Sequence, residues 1–176
     1  LGGQTRNPYD LTRTPGGSSG GTGAAVAAGF GLVGSGSDTG QSIRSPASAN
    51  NLVGLRPTRG LVSRRGIVPV SLTQDEAGPI TRTVEDAARL LDVMAGVDPE
   101  DPVTAAGVGH QPPTYTAFLD RNGLRGARIG VLREYFGTEP VHAEVNRVMA
   151  QAIAVLRTQG AHVEDVTVPG LATLTA

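Results

Sequence analysis

Neither cysteine nor lysine occurs anywhere in the 176 residues. The first absence excludes disulfides, thiolate nucleophiles and cysteine-based zinc sites. The second leaves arginine as the whole of the 15-residue Lys+Arg count, so no lysine-dependent mechanism can run on these residues alone. A formal net charge of −1, with the arginines scattered, argues against a surface built for phosphate backbones or anionic lipid. No nucleic-acid partner is expected. No apolar run approaches bilayer length and the first residues carry no charged-then-apolar signal pattern, so no membrane partner is expected and a soluble cytoplasmic protein fits. What is present is a globular composition, 39% hydrophobic, with 25 glycines and 12 prolines that predict many tight turns. One core of ordinary size is the default for this length.

The chain from residue 1 to Pro15 reads as a loop, followed by a Gly/Ser turn at Gly16 to Gly21 and an Ala-rich helix over Thr22–Gly29 that permits close packing. Phe30 to Ser37 is short, apolar and glycine-bearing, the pattern of a buried strand. Ala47 to Ser71 is cut by Gly and Pro into short pieces, including Leu52 to Leu55 and Gly66 to Val70, and reads as turns and short strands around a fixed loop. The clearest helix is Val84–Ala95, capped by Thr83 with Asp86 three residues on, its apolar face made by Val84, Ala87, Ala88, Leu91, Met94 and Ala95. Asp98 to Pro113 reads as an exposed connection. Beyond it, a strand at Ala127–Arg133, an amphipathic helix at Val141–Thr158 and a strand at His162–Val168 suggest an α/β sheet with a right-handed crossover.

Several motifs fail on context. Gly29 to Gly34 matches GxGxxG, but it closes a helix and leads into a strand, the reverse of a dinucleotide site. The Gly16–Gly21 turn lacks the lysine of a phosphate-binding loop. It matches GxSxG around Ser18 and again around Ser19, yet the preceding Leu11-Thr12-Arg13-Thr14-Pro15 makes a poor buried strand for a nucleophile elbow. His110, His142 and His162 lack metal-ligand spacing and read as surface residues.

The remaining constellation is more specific. Gly16-Gly17-Ser18-Ser19-Gly20-Gly21, then Gly36-Ser37-Asp38-Thr39-Gly40-Gln41-Ser42-Ile43-Arg44-Ser45-Pro46, closely resemble the amidase signature family. The runs Val53 to Thr58 and Gly78 to Ala88 look like the same family's later blocks. The resemblance is dense over about residues 7–102 and thinner over 103–176, the connection plus strand-helix-strand. It implies a mixed α/β sheet flanked by helices, here incomplete, as one partial domain over residues 1–176. It also implies an amidase that hydrolyses a carboxylic amide through an acyl-serine intermediate, with a small-molecule amide substrate and no cofactor or metal. Oligomerisation stays open.

Mapped by motif, the resemblance implies a Ser-cisSer-Lys triad with Ser42 as nucleophile and Ser18 as the bridging serine. Serine is a weak nucleophile at neutral pH and needs a base, which a buried neutral lysine can be. A hydroxyl that donates and accepts can relay the proton between them. The oxyanion hole is implied at Thr39, Gly40 and Gln41 with the N–H of Ser42, a nest of donors in a tight loop. Ser19, Asp38 and Arg44 take supporting roles: Ser19 as a hydrogen-bonding group within its turn, the other two either holding the loop or forming an ordinary surface pair.

Four departures matter. Gln41 stands where the family usually has glycine, and Asn50-Asn51 replaces a frequent Cys-Gly pair. Gln74-Asp75-Glu76-Ala77 favours a stand-alone amidase over the alternative, the A-type chain of a glutamyl-tRNA amidotransferase. The lysine is expected upstream of the Gly/Ser turn, where only 17 residues precede Ser18. A truncated enzyme is the expectation, since Leu1 is not a start residue; a cleaved piece and an inactive family relative are the other readings.

Overall fold

The computed structural model describes residues 3–174. It divides into two compact units, one ending at Phe118 and the other beginning at Leu119.

In the first unit, helix α1 spans Gly20–Ala27 and buries Gly20, Gly23 and Val26, a stripe of small side chains at helical spacing. Gly29, at φ +77°, ends it: the N–H of Phe30 reaches Ala25 O and that of Gly29 reaches Val26 O, a Schellman closure. Strand β1 covers Gly34–Asp38 and a short helix α2 covers Arg44–Ala49. Strand β2 is Val53–Gly54, and strand β3 is Glu76–Thr81. The sheet order is β1-β3-β2, antiparallel throughout, with Asp38 opposite Glu76 and Gly34 opposite Ile80.

The expected buried strand at Phe30–Ser37 therefore starts late. Phe30 is 88% exposed and Leu32 70%, because β1 finds its ladder partner only from Gly34 onward. Gly66 lies in a turn and residues 67–70 form no strand. Central β3, buried at all six positions, contains Pro79, which lacks a ladder donor. Pro79 O accepts from Leu55 N–H at 3.1 Å, so its missing N–H falls on the side where β2 has already ended.

Helix α3, Val84–Met94, is capped as expected, Thr83 Oγ1 accepting from Asp86 N–H at 3.0 Å. Leu91 packs with Val62 and Ala77, joined by Leu61, Ile67, Met94, Ala95 and Tyr115. Val84, placed on the apolar face by the sequence pattern, is exposed in the first turn. On the other side, Val26, Ile43, Ala47 and Ile80 are buried.

In the second unit, strands β4 (Arg128–Val131) and β5 (His162–Asp165) pair in parallel, with helix α4 (Ala143–Thr158) in the connection. Val131, Ile153 and Ala161 are its buried apolar residues, and a last helical turn, α5, covers Leu171–Leu174. Among the described residues, then, the α/β architecture consists of an antiparallel sheet and a parallel pair, each with helices against it. No helix among them is long and apolar enough to cross a membrane.

Candidate active site

The Gly/Ser turn and the loop after β1 are joined by backbone and side chain. The Gly17–Ser18 peptide bond is cis. One residue on, the Ser19 N–H donates to Ser42 O at 3.2 Å, and the Ser19 hydroxyl donates to Ser37 O at 3.3 Å. Ser19 thus reaches across to the strand instead of bonding within its own turn. Thr22 Oγ1 donates likewise to Ser35 O at 3.1 Å, so the first turn of α1 covers the free edge of β1.

Glycine is required where these layers meet. Gly16 has φ +72°, and a Cβ there would lie 2.9 Å from Pro46 N and Cα. At Gly36 a Cβ would meet Ser19 Oγ at 2.7 Å. Asn50, fully buried, donates to Pro15 O and Pro46 O at 2.7 Å each, tying the Gly/Ser turn to α2. Asn51 sits at φ 54°, a left-handed conformation asparagine tolerates better than most side chains. Gln41 is exposed and has no positive φ, so its backbone accommodates a side chain without strain.

Asp38 is the hub of the loop. Its side chain is 0% exposed; Oδ2 accepts Ile43 N–H at 3.0 Å and Arg44 Nε at 3.2 Å, while Oδ1 accepts Arg56 Nη1 at 2.9 Å. Burial pushes this carboxyl upward, but the hydrogen bonds from Arg44, Ile43 and Arg56 outweigh it and hold the carboxyl below its ordinary range. The surface-pair alternative for Asp38 and Arg44 does not hold, since the carboxylate end is wholly buried. Arg44 Nη2 also bonds Gly40 O, and Arg56 Nη1 bonds Asp38 O at 2.6 Å and Thr39 O at 3.1 Å.

The consequence is a polarity in the loop. The carbonyls of Asp38, Thr39 and Gly40 are all taken by guanidinium groups, whereas among the described residues no protein acceptor takes the N–H groups of Gly40, Gln41 or Ser42. Successive amides left unclaimed in a tight loop are suited to an anion or a developing oxyanion. Ser42 is half-buried at the end of this loop and Ser18 is exposed on the adjoining turn.

Two residues of this arrangement, Arg56 and Asp75, were not singled out by the sequence reasoning. Arg56 Nη2 bonds Gln74 O at 2.7 Å, and Asp75 accepts the Thr39 hydroxyl. Both lie in segments noticed only as family blocks or departures, and side chains that act on distant backbone leave no periodic signal. Of the three histidines, His110 and His162 are exposed and His142 is half-buried in the second unit. Among the described residues no group of three His, Asp or Glu side chains could hold a metal ion.

The Amidase family model matches residues 1–176. The chain belongs to the amidase signature family. This amidase-family chain is 49% identical over 167 residues to the A-type chain of the glutamyl-tRNA(Gln) amidotransferase of Rubrobacter xylanophilus, covering 95% of the chain and 34% of that relative. It is 50% identical over 165 residues to the corresponding chain of Carboxydothermus hydrogenoformans, covering 94% and 33%. Among solved structures, the native peptide amidase of Stenotrophomonas maltophilia superposes with a TM-score of 0.88 at 46% identity, over 99% of this chain and 35% of that one. The A-type chain of the Thermotoga maritima glutamyl-tRNA(Gln) amidotransferase gives 0.86 at 42% identity, over 96% and 36%. The chain spans about a third of the length of the family members it matches.

Proposed function

We propose that these residues carry the nucleophile, proton relay and oxyanion loop of an amide hydrolase. Ser42 attacks the carbonyl carbon, the developing oxyanion is met by the N–H groups of Thr39, Gly40, Gln41 and Ser42, and Ser18 passes the Ser42 proton toward the leaving amine. Thr39 shapes the start of that loop, and Asp38 and Arg44 hold it. The base is a lysine supplied from outside these 176 residues. Collapse of the tetrahedral intermediate releases amine and leaves acyl-Ser42, which water hydrolyses to the acid. The observation that carries this reading is the loop after β1, its carbonyls held by arginines and its amides unclaimed beside the Ser18 turn.

The second reading is a component of a glutamyl-tRNA(Gln) amidotransferase, favoured by relatives of that name at 48 to 50% identity. The same acyl-serine chemistry would then release ammonia from an amide for transfer to glutamyl-tRNA(Gln), with partner chains. Amide turnover by the complete gene product, wild type against Ser42→Ala, tests both readings. Release of acid and amine by wild type alone, abolished by the substitution, supports the hydrolase; turnover appearing only with partner chains and acceptor tRNA supports the amidotransferase. Turnover that survives Ser42→Ala refutes both.

A further inference from the structure

Asp75 belongs to no element of the nucleophile or relay, yet its residue is only 5% exposed and its carboxylate is fully engaged. Oδ1 accepts the Thr39 hydroxyl, and Oδ2 accepts Val70 N–H at 2.8 Å and Ser71 N–H at 2.9 Å. The Thr39 hydrogen bond, ahead of the backbone donors, holds the Asp75 carboxyl below its ordinary range against the opposing effect of burial.

The placement follows from the register. The β1–β3 ladder ends with Asp38 opposite Glu76, so the next pair in an antiparallel sheet is Thr39 opposite Asp75. At that step the backbone ladder stops and a side-chain hydrogen bond takes its place. Thr39 is then held twice, by Asp75 at its hydroxyl and by Arg56 at its carbonyl, 3.1 Å away. The plane of the Thr39–Gly40 peptide is fixed at its oxygen, and the Gly40 N–H on the opposite side is fixed with it. Arg56 also bonds Gln74 O, a second link between the same two segments.

We infer that Asp75 is a positioning residue for the oxyanion loop: by holding the Thr39 hydroxyl it sets the direction of the Gly40 N–H that receives the developing charge. This rests on the proposed role of Ser42. A merely structural Asp75 would shape the turn at Val70 and Ser71 and have no need of Thr39.

The test compares Asp75→Asn, Thr39→Val, Thr39→Ser and the Asp75→Asn/Thr39→Val pair in the complete gene product. It measures amide turnover and the rate of Ser42 capture by an alkyl phosphonate, whose adduct places an oxygen where the oxyanion forms. With its one oxygen on the Val70 and Ser71 N–H groups, asparagine turns its N–H2 toward the Thr39 hydroxyl, so the charge-assisted bond that the hydroxyl donates is lost and only a weaker one of reversed direction can replace it. The expected result is a loss of about 10- to 100-fold in kcat for Asp75→Asn and for Thr39→Val, the scale of a misplaced reacting geometry. KM should stay within about twofold, since the loss lies in the transition state. The phosphonate rate should fall in parallel, Thr39→Ser should retain turnover, and the double variant should be no worse than the poorer single one. Thr39→Val with wild-type kcat, a loss confined to KM, or losses that multiply in the pair would overturn the inference. Should Asp75→Asn fail to fold, Thr39→Val and Thr39→Ser carry the test, because they leave Asp75 with its Val70 and Ser71 donors. Survival of turnover in Ser42→Ala sinks the functional reading itself; an inactive Ser42→Ala beside a fully active Thr39→Val sinks only the role of Asp75.

Discussion

The backbone N–H of Ser19 donates to the carbonyl oxygen of Ser42 at 3.2 Å. That one bond joins the turn that carries Ser18 to the loop that carries Ser42, although 23 positions separate Ser19 from Ser42 in the sequence. It occupies the Ser42 carbonyl, while no protein acceptor among the described residues takes the Ser42 N–H. The geometry places the two hydroxyl-bearing segments side by side without a contact between the hydroxyls being needed to hold them there.

Asp38→Ala should destabilise the fold and abolish turnover together. The substitution orphans the buried Ile43 N–H, a loss of about 1–3 kcal/mol. Because the Asp38 carboxyl is held below its ordinary range in the folded state, its contribution is present above the unfolded carboxyl pKa and disappears as pH falls through the lower, folded value. Urea midpoints across the acid range should therefore show a steeper acid loss in wild type than in the variant; parallel profiles would count against the hub.

Glu76 behaves in the opposite sense. It is 1% exposed, neither carboxyl oxygen has a hydrogen-bond partner among the described residues, and the Arg59 Nε cation lies 4.0 Å away. Burial pushes its carboxyl above the ordinary range, against the pull of Arg56, Arg64 and Arg59. A raised folded pKa means the contribution is full below the unfolded pKa and is lost as pH rises through the folded one. Glu76→Gln should accordingly raise the urea midpoint at neutral pH and flatten its dependence on pH above the carboxylate range. An unchanged slope would show that Glu76 is ionised and compensated.

Gly36→Ala should cost about 1–3 kcal/mol, the scale of overpacking. Its Cβ would meet Ser19 Oγ at 2.7 Å and Ile80 Cδ1 at 3.0 Å, so the relief must move Ser19. Turnover should fall more than stability alone explains. A variant of wild-type melting temperature and activity would show that α1 and β1 can part without consequence.

Much of this was legible in the residues. The Thr83 cap and the apolar stripe of Ala87 and Leu91 fixed α3, and the strand-helix-strand pattern after residue 126 appears as β4, α4 and β5. The family was readable from the ordered blocks around Ser18, Ser42 and Gly78. What escaped had physical reasons. β3 contains a proline at a central position, which argues against a strand unless one notices that its neighbour is two residues long. Phe30 and Leu32 look like core residues but lie before the ladder begins. Arg56 and Asp75 act on residues 17 and 36 positions away, and neither spacing belongs to any local period.

The measurement that bears most directly on the central claim is covalent capture of the complete gene product by an alkyl phosphonate, read by intact mass and then by peptide mapping. The account predicts one adduct per chain, on Ser42, absent from Ser42→Ala and formed far more slowly in Ser18→Ala. An adduct on Ser18 or Ser19, or labelling that persists in Ser42→Ala, would contradict it.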